Sequence, residues 1–187
     1  IKDMFRNLPI KKITKVENIL VTFGGTDPSN ITEFIIPILQ ELYTKLNRKI
    51  KITVVIGPGY QKSKIEHIIT SINNIPKEEN NFIIKKYIRE MALEMFENDL
   101  VISSNGRTVY ESTSLGIPVL SIAQNEREEL HLFSHFSSSV IYMGRHSDEK
   151  KSNIYEELRK LLQNEELIQI KNKEAIIFGK DIRNGIF

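Results

Sequence analysis

The sequence predicts an α/β domain of Rossmann type, with three layers and a parallel sheet of about six strands. Short apolar runs typical of buried strands recur along the chain, and helical segments separate them. Helices of this length between strands require parallel pairing with right-handed crossovers. Turn-forming residues follow the end of nearly every run, so the loops that matter for binding are expected at one edge of the sheet.

The elements follow in order along the chain. The expected strands are residues 19–23, 51–56, 81–85, 99–103, 119–123 and 139–143. Ser29 or Asn30 is expected to cap the first helix, which runs to about Leu46 with apolar residues at three- and four-residue intervals. The other expected helices are residues 62–72, 88–97, 107–115, 126–136, 150–163 and 165–178.

The first residues differ in character from the rest. Residues 1–18 are charged and contain Pro9, so we expect a linker arm there and the domain itself over residues 19–187. The chain begins at Ile1, not at methionine, which suggests a domain cut from a longer protein, with N-terminal processing or omitted residues as the alternatives.

Composition excludes several classes of protein. A length of 187 residues with 40% hydrophobic content fits one domain with a sizeable core. The 26 basic and 24 acidic residues are scattered, so no nucleic-acid partner is expected. The chain has no cysteine, which excludes disulfides and thiolate metal sites and fits a cytoplasmic location. No apolar run approaches the roughly 20 residues that span a bilayer.

The segment 99–126 contains the strongest candidate site. A buried run ends at Ser103, a polar turn follows, and a helix begins at Arg107. The first N–H groups of a helix have no partner within it and the dipole adds about half a positive charge, so a phosphate or diphosphate is the expected ligand. Glu111 lies further along this helix, where it could bind a ribose diol. The alternative is structural: Ser104 or Asn105 caps the helix and Glu111 supports its dipole.

Four loops are expected at the ligand-binding edge: Gly24-Gly25, Gly57-Pro58-Gly59, residues 103–106 and residues 124–126. Neither a dinucleotide-binding G-x-G-x-x-G pattern nor a P-loop is present, which leaves nucleotide-sugar enzymes prominent. His131 and His135 stand four residues apart, but H-E-x-x-H and a third ligand are missing, so neither a metal nor another cofactor is expected. No G-x-S-x-G pattern supports acyl transfer.

Two motifs carry a resemblance to a known family. VTFGGTDPSNIT and SNGRTVYESTSLGIPVLSIAQNEREELH closely resemble the C-terminal half of the nucleotide-sugar hydrolase of pseudaminic acid biosynthesis and its spore-coat polysaccharide relatives. These proteins are similar to MurG-like glycosyltransferases with the two-domain GT-B fold. The resemblance covers about residues 1–145. It implies hydrolysis of UDP-2,4-diacetamido-2,4,6-trideoxy-β-L-altropyranose to UDP and the free sugar.

The resemblance also assigns roles to residues. It places the diphosphate against the glycine turn and the start of the helix, at Gly24, Gly25, Thr26, Ser104, Asn105, Gly106, Arg107 and Thr108. It gives the ribose to Glu111 and the uracil to main-chain groups around residues 84–87. The sugar would face Asn125, the candidate catalytic residue, together with Glu126, Glu129 and His131.

One departure from the family affects activity. The family's catalytic base is a histidine of an N-terminal domain that this chain lacks, so the fragment alone is expected to bind UDP weakly without turnover. Two alternatives stay open: a glycosyltransferase that uses an acceptor in place of water, and a non-catalytic binding domain fused to a CMP-sugar synthase, a cytidylyltransferase. No DxD-type motif indicates a metal.

Overall fold

A computed structural model describes residues 2–186, and its strands form one parallel sheet. Ile1 and Phe187, the outer ends of the expected arm and domain, lie outside the described residues. The strands are β1 (Asn18–Thr22), β2 (Lys51–Ile56), β3 (Phe82–Lys86), β4 (Leu100–Ser103), β5 (Val119–Ala123) and β6 (Val140–Arg145). Their order is β3-β2-β1-β4-β5-β6, with every neighbouring pair parallel. The expected Rossmann-like fold is confirmed, and the chain order reverses between β1 and β4.

Helices flank the sheet. They are α1 (Asp3–Arg6), α2 (Ile31–Leu46), α3 (Lys62–Asn73), α4 (Met91–Phe96), α5 (Arg107–Ser114), α6 (Glu126–Glu129), α7 (Phe133–Phe136), α8 (Lys151–Gln163) and α9 (Glu165–Arg183). Helix α2 packs against α3 and α8, whereas α5 packs against α9 and α1. Within residues 2–186, no helix combines the length and the apolar character needed to cross a bilayer.

The core lies between the central strands and these helices. Val21 of β1 pairs with Val54 of β2 on one side and Ile102 of β4 on the other, and all three are fully buried. Strands of a parallel sheet are covered on both faces, which explains why the apolar runs are nearly continuous.

Residues 2–17 pack against the domain. Phe5, Ile13 and Val16 are buried, and the Nζ atom of Lys11 lies 2.9 Å from Oδ1 of Asp99. Oδ2 of Asp99 accepts hydrogen bonds from the main-chain N–H groups of Glu17 and Asn18 at 3.0 and 2.9 Å. This segment therefore contributes to the core, and its expected role as a linker stays a prediction.

The helix expected over residues 126–136 is wrong, because two short helices, α6 and α7, occupy this segment. The Nδ2 atom of Asn105 donates to the main-chain oxygen of Glu128 at 2.7 Å and to that of His131 at 3.5 Å, which supplies a partner outside the helix. Two other helices differ from their expected bounds. Tyr87 has a φ of 57° and α4 begins only at Met91, while α9 continues to Arg183.

Candidate functional site

The turn after β1 leaves an open surface at the carboxyl edge of the sheet. Gly24 has a φ of 77°, and a Cβ atom added to Gly24 or Gly25 would meet nothing within 4 Å. The loop after β2 packs against this turn. The main-chain N–H of Gly59 in that loop donates to the main-chain oxygen of Gly25 at 2.8 Å. A Cβ on Gly57 would lie 2.3 Å from the oxygen of Gly24, so this close packing requires glycine at position 57.

The start of α2 is fixed by Asp27, not by the side chains expected from the sequence. Asn30 occupies the position before the helix without a side-chain bond to it. The two carboxylate oxygens of Asp27 accept from the N–H groups of Ile31 and Thr32, each at 2.9 Å. Ser29 instead donates from Oγ to the main-chain oxygen of Gln124 at 2.7 Å, which ties the glycine turn to the loop after β5.

The turn between β4 and α5 presents unpaired donors. Gly106 is the residue before α5, and no side chain caps this helix, so the structural alternative in which Ser104 or Asn105 caps it is wrong. Among the described residues, none accepts a hydrogen bond from the main-chain N–H of Gly106, Arg107 or Thr108. A helix start with free N–H groups attracts an anion.

The Asn105 side chain is fully engaged inside the protein. It is 1% exposed, donates from Nδ2 to the oxygen of Glu128 at 2.7 Å, and accepts from Oγ of Ser121 at 3.2 Å. Ser104 is also buried. The Asn105 side chain therefore shapes the turn, and what Asn105 can offer a ligand is its main-chain N–H.

A cleft of about 430 Å³ lies beside this turn. Four of the residues expected at the site, Gly24, Gly25, Thr108 and Glu111, line it together. The remaining walls are Thr22, Val55, Ile56, Gly57, Pro58, Tyr87, Ile88, Arg89, Met91 and Met95. The sequence does not identify Met91 and Met95 as part of a site, because their helical spacing indicates only a core-facing side of α4.

Glu111 contributes a carboxyl group to the cleft wall. Burial raises the pKa of the Glu111 carboxyl group above its usual value, and the nearby Arg107 and Lys2 lower it in part. Arg107 is exposed at the first position of α5. Since Glu111 lies one turn further along the same helix, an anion at the helix start and a hydroxyl-bearing group at Glu111 can be bound side by side.

The loop after β5 is tightly held. Asn125 precedes α6 and its Oδ1 accepts from the N–H of Glu128 at 3.1 Å. The Glu128 carboxylate accepts in return from the N–H of Gln124 at 2.8 Å through Oε2. Gln124 also donates from Nε2 to the oxygen of Phe23 at 3.3 Å. The pattern Asn125-x-x-Glu128 is a variant of a capping box. This pattern in the sequence could have indicated that the Glu128 side chain bonds back to the loop before α6.

The other residues expected to contact the sugar lie outside the cleft walls. Glu126 and Glu129 both face Arg145, whose Nη1 is 3.2 Å from one carboxylate and 3.6 Å from the other. The main-chain oxygen of His131 accepts from Oγ of Ser134 at 3.1 Å. Thr26 presents its main-chain oxygen to Nζ of Lys64 at 3.3 Å. Asn125, Glu126, Glu129 and His131 are thus absent from the cleft walls and lie in the segment that follows β5, which we call the rim. Within residues 2–186 no cluster of three His, Asp or Glu side chains could hold a metal.

The parallel sheet, the glycine turn and the free start of α5 define a Rossmann-like domain with unpaired main-chain donors at its carboxyl edge. The family model of the glycosyltransferase family 28 C-terminal domain matches residues 18–184. The chain belongs to this family.

A curated relative is an uncharacterized protein of Methanocaldococcus jannaschii, 41% identical over 118 residues. The match covers 62% of this chain, and the chain spans only 22% of the length of that relative.

Solved structures agree with the fold. MurG of Acinetobacter baumannii is 17% identical with a TM-score of 0.60, over 98% of this chain and 52% of that one. The C-terminal domain of a group 1 glycosyl transferase of Francisella tularensis is 13% identical with a TM-score of 0.65, over 95% and 90%. HepE of Anabaena, solved with UDP and glucose, is 13% identical with a TM-score of 0.62, over 92% and 47%. The fold is that of GT-B C-terminal domains.

Proposed function

We propose that this domain binds the UDP part of a UDP-sugar, as half of an enzyme that cleaves the bond between the sugar and the diphosphate. One observation carries the proposal: Thr108, whose main-chain N–H is free at the start of α5, lines the same cleft as the open glycine turn and Glu111. Membership of glycosyltransferase family 28 and the UDP bound by HepE support the same ligand.

The cleft suggests an orientation for the ligand. The ribose hydroxyls would donate to Glu111, the diphosphate would lie over the start of α5 and the glycine turn, and the base would lie toward Tyr87 to Arg89. The sugar would then reach the rim at Asn125. Departure of UDP leaves negative charge on the diphosphate, and the α5 N–H groups together with Arg107 would stabilise it without a metal.

The motif resemblance favours a hydrolase acting in nonulosonic acid or surface polysaccharide biosynthesis, in the cytoplasm. In this proposal an N-terminal domain of the same polypeptide supplies the base that activates water. The alternative is a glycosyltransferase with a sugar acceptor, which family membership favours. Fusion to a cytidylyltransferase would instead make this a binding domain of a CMP-sugar synthase, and the sequence that flanks the domain in its parent decides between them.

The test is calorimetric titration of the domain with UDP, with CMP, GDP and NAD as controls, in the presence and absence of magnesium. We expect selective UDP binding that magnesium does not change. Glu111→Ala should weaken it about tenfold or more, which corresponds to about 1.4 kcal/mol. Equal affinities for the four nucleotides, or no UDP binding at millimolar concentration, would overturn the proposal. The domain alone should not release UDP from a UDP-sugar over many turnovers.

A further inference from the structure

The Glu128 carboxylate lies beside the start of α5. Its Oε1 atom is 3.8 Å from the position that a Cβ atom on Gly106 would occupy. The same oxygen accepts from Nε2 of Gln124 at 3.4 Å, while Oε2 accepts from the main-chain N–H of Gln124 at 2.8 Å. Because the main-chain oxygen of Glu128 also accepts from Asn105, the carboxylate is held in place from two sides.

The Glu128 carboxylate forms no ion pair with another of the described residues. Among residues 2–186, no nitrogen of Lys, Arg or His lies within 4.0 Å of Glu128, whereas its neighbours Glu126 and Glu129 both pair with Arg145. The hydrogen-bond partners of the carboxylate are amide groups, which carry no net charge. A full negative charge therefore lies next to the N–H groups that attract an anion.

We infer that Glu128 is a specificity-determining residue that disfavours UDP relative to a UDP-sugar; this inference rests on the proposed function. Glu111 holds the ribose one turn along α5, so the phosphate nearest Gly106 and Glu128 is the terminal phosphate of UDP. In free UDP this phosphate carries about two negative charges at neutral pH or above, but about one when it is esterified to a sugar. The fixed charge of Glu128 repels the doubly charged form more strongly.

The charge of Glu128 affects the release of the product, UDP. Both hydrolysis and transfer release UDP, and the N–H groups and Arg107 that bind the diphosphate would also retain it. A carboxylate beside the terminal phosphate lowers the affinity for UDP selectively, so the site is freed for the next UDP-sugar.

The test compares UDP with a UDP whose terminal phosphate carries a methyl ester, a probe that does not depend on sugar identity. Calorimetric titrations at about pH 8 would use the wild type and Glu128→Gln, whose amide oxygen can still accept from Gln124. We expect the variant to bind UDP about fivefold more tightly and the methyl ester within about twofold of the wild type. The wild type should bind the methyl ester at least as tightly as UDP.

Two control variants test whether the effect comes from the charge at position 128. One changes the shape of the side chain and keeps its charge, and the other changes the net charge of the protein outside the cleft walls. Glu128→Asp keeps the charge and should keep the ratio of the two affinities within about twofold. Glu66→Gln removes an exposed carboxylate of α3 and should change neither affinity. Equal gains for both probes, or no gain for UDP in a folded Glu128→Gln variant, would overturn the role of Glu128 and leave the UDP site intact. Failure of the wild type to bind either probe would overturn the UDP site as well.

Discussion

The Nδ2 atom of Asn105 lies 2.7 Å from the main-chain oxygen of Glu128, and this bond joins the turn before α5 to the helix after β5. Oδ1 of Asn105 accepts from Oγ of Ser121 at 3.2 Å, so the same side chain is also fixed to β5. The two loops of the candidate site are consequently joined through one side chain, which links the free N–H groups of α5 to the segment that contains Asn125.

Replacing Asn105 should therefore destabilise the whole domain. Asn105→Ala leaves Ser121 and the oxygen of Glu128 without their buried partner, and we expect a loss of about 2–3 kcal/mol in the free energy of unfolding. Urea unfolding measures this loss. Ser121→Ala removes only the bond to Oδ1 of Asn105 and should cost about 1 kcal/mol. A loss below about 0.5 kcal/mol for Asn105→Ala would contradict the joining role.

Gly25 offers a test of the cleft that leaves the fold intact. A Cβ atom at this position meets nothing within 4 Å and the residue has no positive φ, so Gly25→Ala should change the free energy of unfolding by less than about 0.5 kcal/mol. The added methyl group occupies the edge of the cleft, and UDP affinity should fall about tenfold in calorimetric titration.

The matched control for Gly25 is Gly185→Ala. Gly185 also has open space around it, but its φ is 78°, so alanine there is strained. We expect a cost of about 1 kcal/mol without any change in UDP affinity. Full UDP affinity in Gly25→Ala would show that the glycine turn does not approach the ligand.

Much of the fold follows from local sequence patterns. Each of the six strands begins and ends within two residues of its expected bounds, because the strands of a covered parallel sheet must be apolar on both faces. The edge of the sheet that carries the loops follows as well, since all parallel strands end on one side. The residues that line the cleft at Gly24, Thr108 and Glu111 were therefore predictable from their place after a strand or at a helix start.

Long-range hydrogen bonds were not predictable in this way. Asp27 caps α2 where Ser29 or Asn30 was the local expectation, because Ser29 bonds to Gln124, a residue 95 positions away. The break between α6 and α7 coincides with hydrogen bonds from Asn105, which lies outside that segment. Such partners meet only in the folded sheet, and no local spacing encodes them.

The contact between α5 and α9 requires a glycine. A Cβ on Gly179 would lie 2.4 Å from the main-chain oxygen of Thr113 and 3.3 Å from Cα of Ser114. Backbone atoms cannot move aside as a flexible side chain can, so Gly179→Ala should cost about 2–3 kcal/mol, despite the better helix propensity of alanine. Thermal unfolding measures this cost, with the exposed Lys180→Ala in the same helix as a nearly neutral control. Equal melting temperatures for the two variants would contradict the close approach.

Replacing Glu111 with glutamine should increase the stability of the domain and weaken UDP binding. Burial raises the pKa of its carboxyl group above the value in the unfolded chain, so the unfolded state loses its proton first as the pH rises. The free energy of unfolding is unaffected below the pKa that Glu111 has in the unfolded chain. It falls as the pH rises through the higher pKa that Glu111 has in the folded protein. Glu111→Gln cannot ionise, so it should match the wild type in urea unfolding at about pH 3.5 and exceed it at about pH 8.

Arg107 provides the control for the direction of this effect. Its charge lowers the pKa of Glu111, so Arg107→Gln should raise that pKa further and increase the stability gained by a second change, Glu111→Gln, at about pH 8. At about pH 8, Glu111→Gln should bind UDP about tenfold more weakly, because a neutral amide accepts from the ribose hydroxyls less strongly than a carboxylate. A Glu111→Gln variant less stable than the wild type at about pH 8 would show that the carboxylate serves the fold and not the ligand.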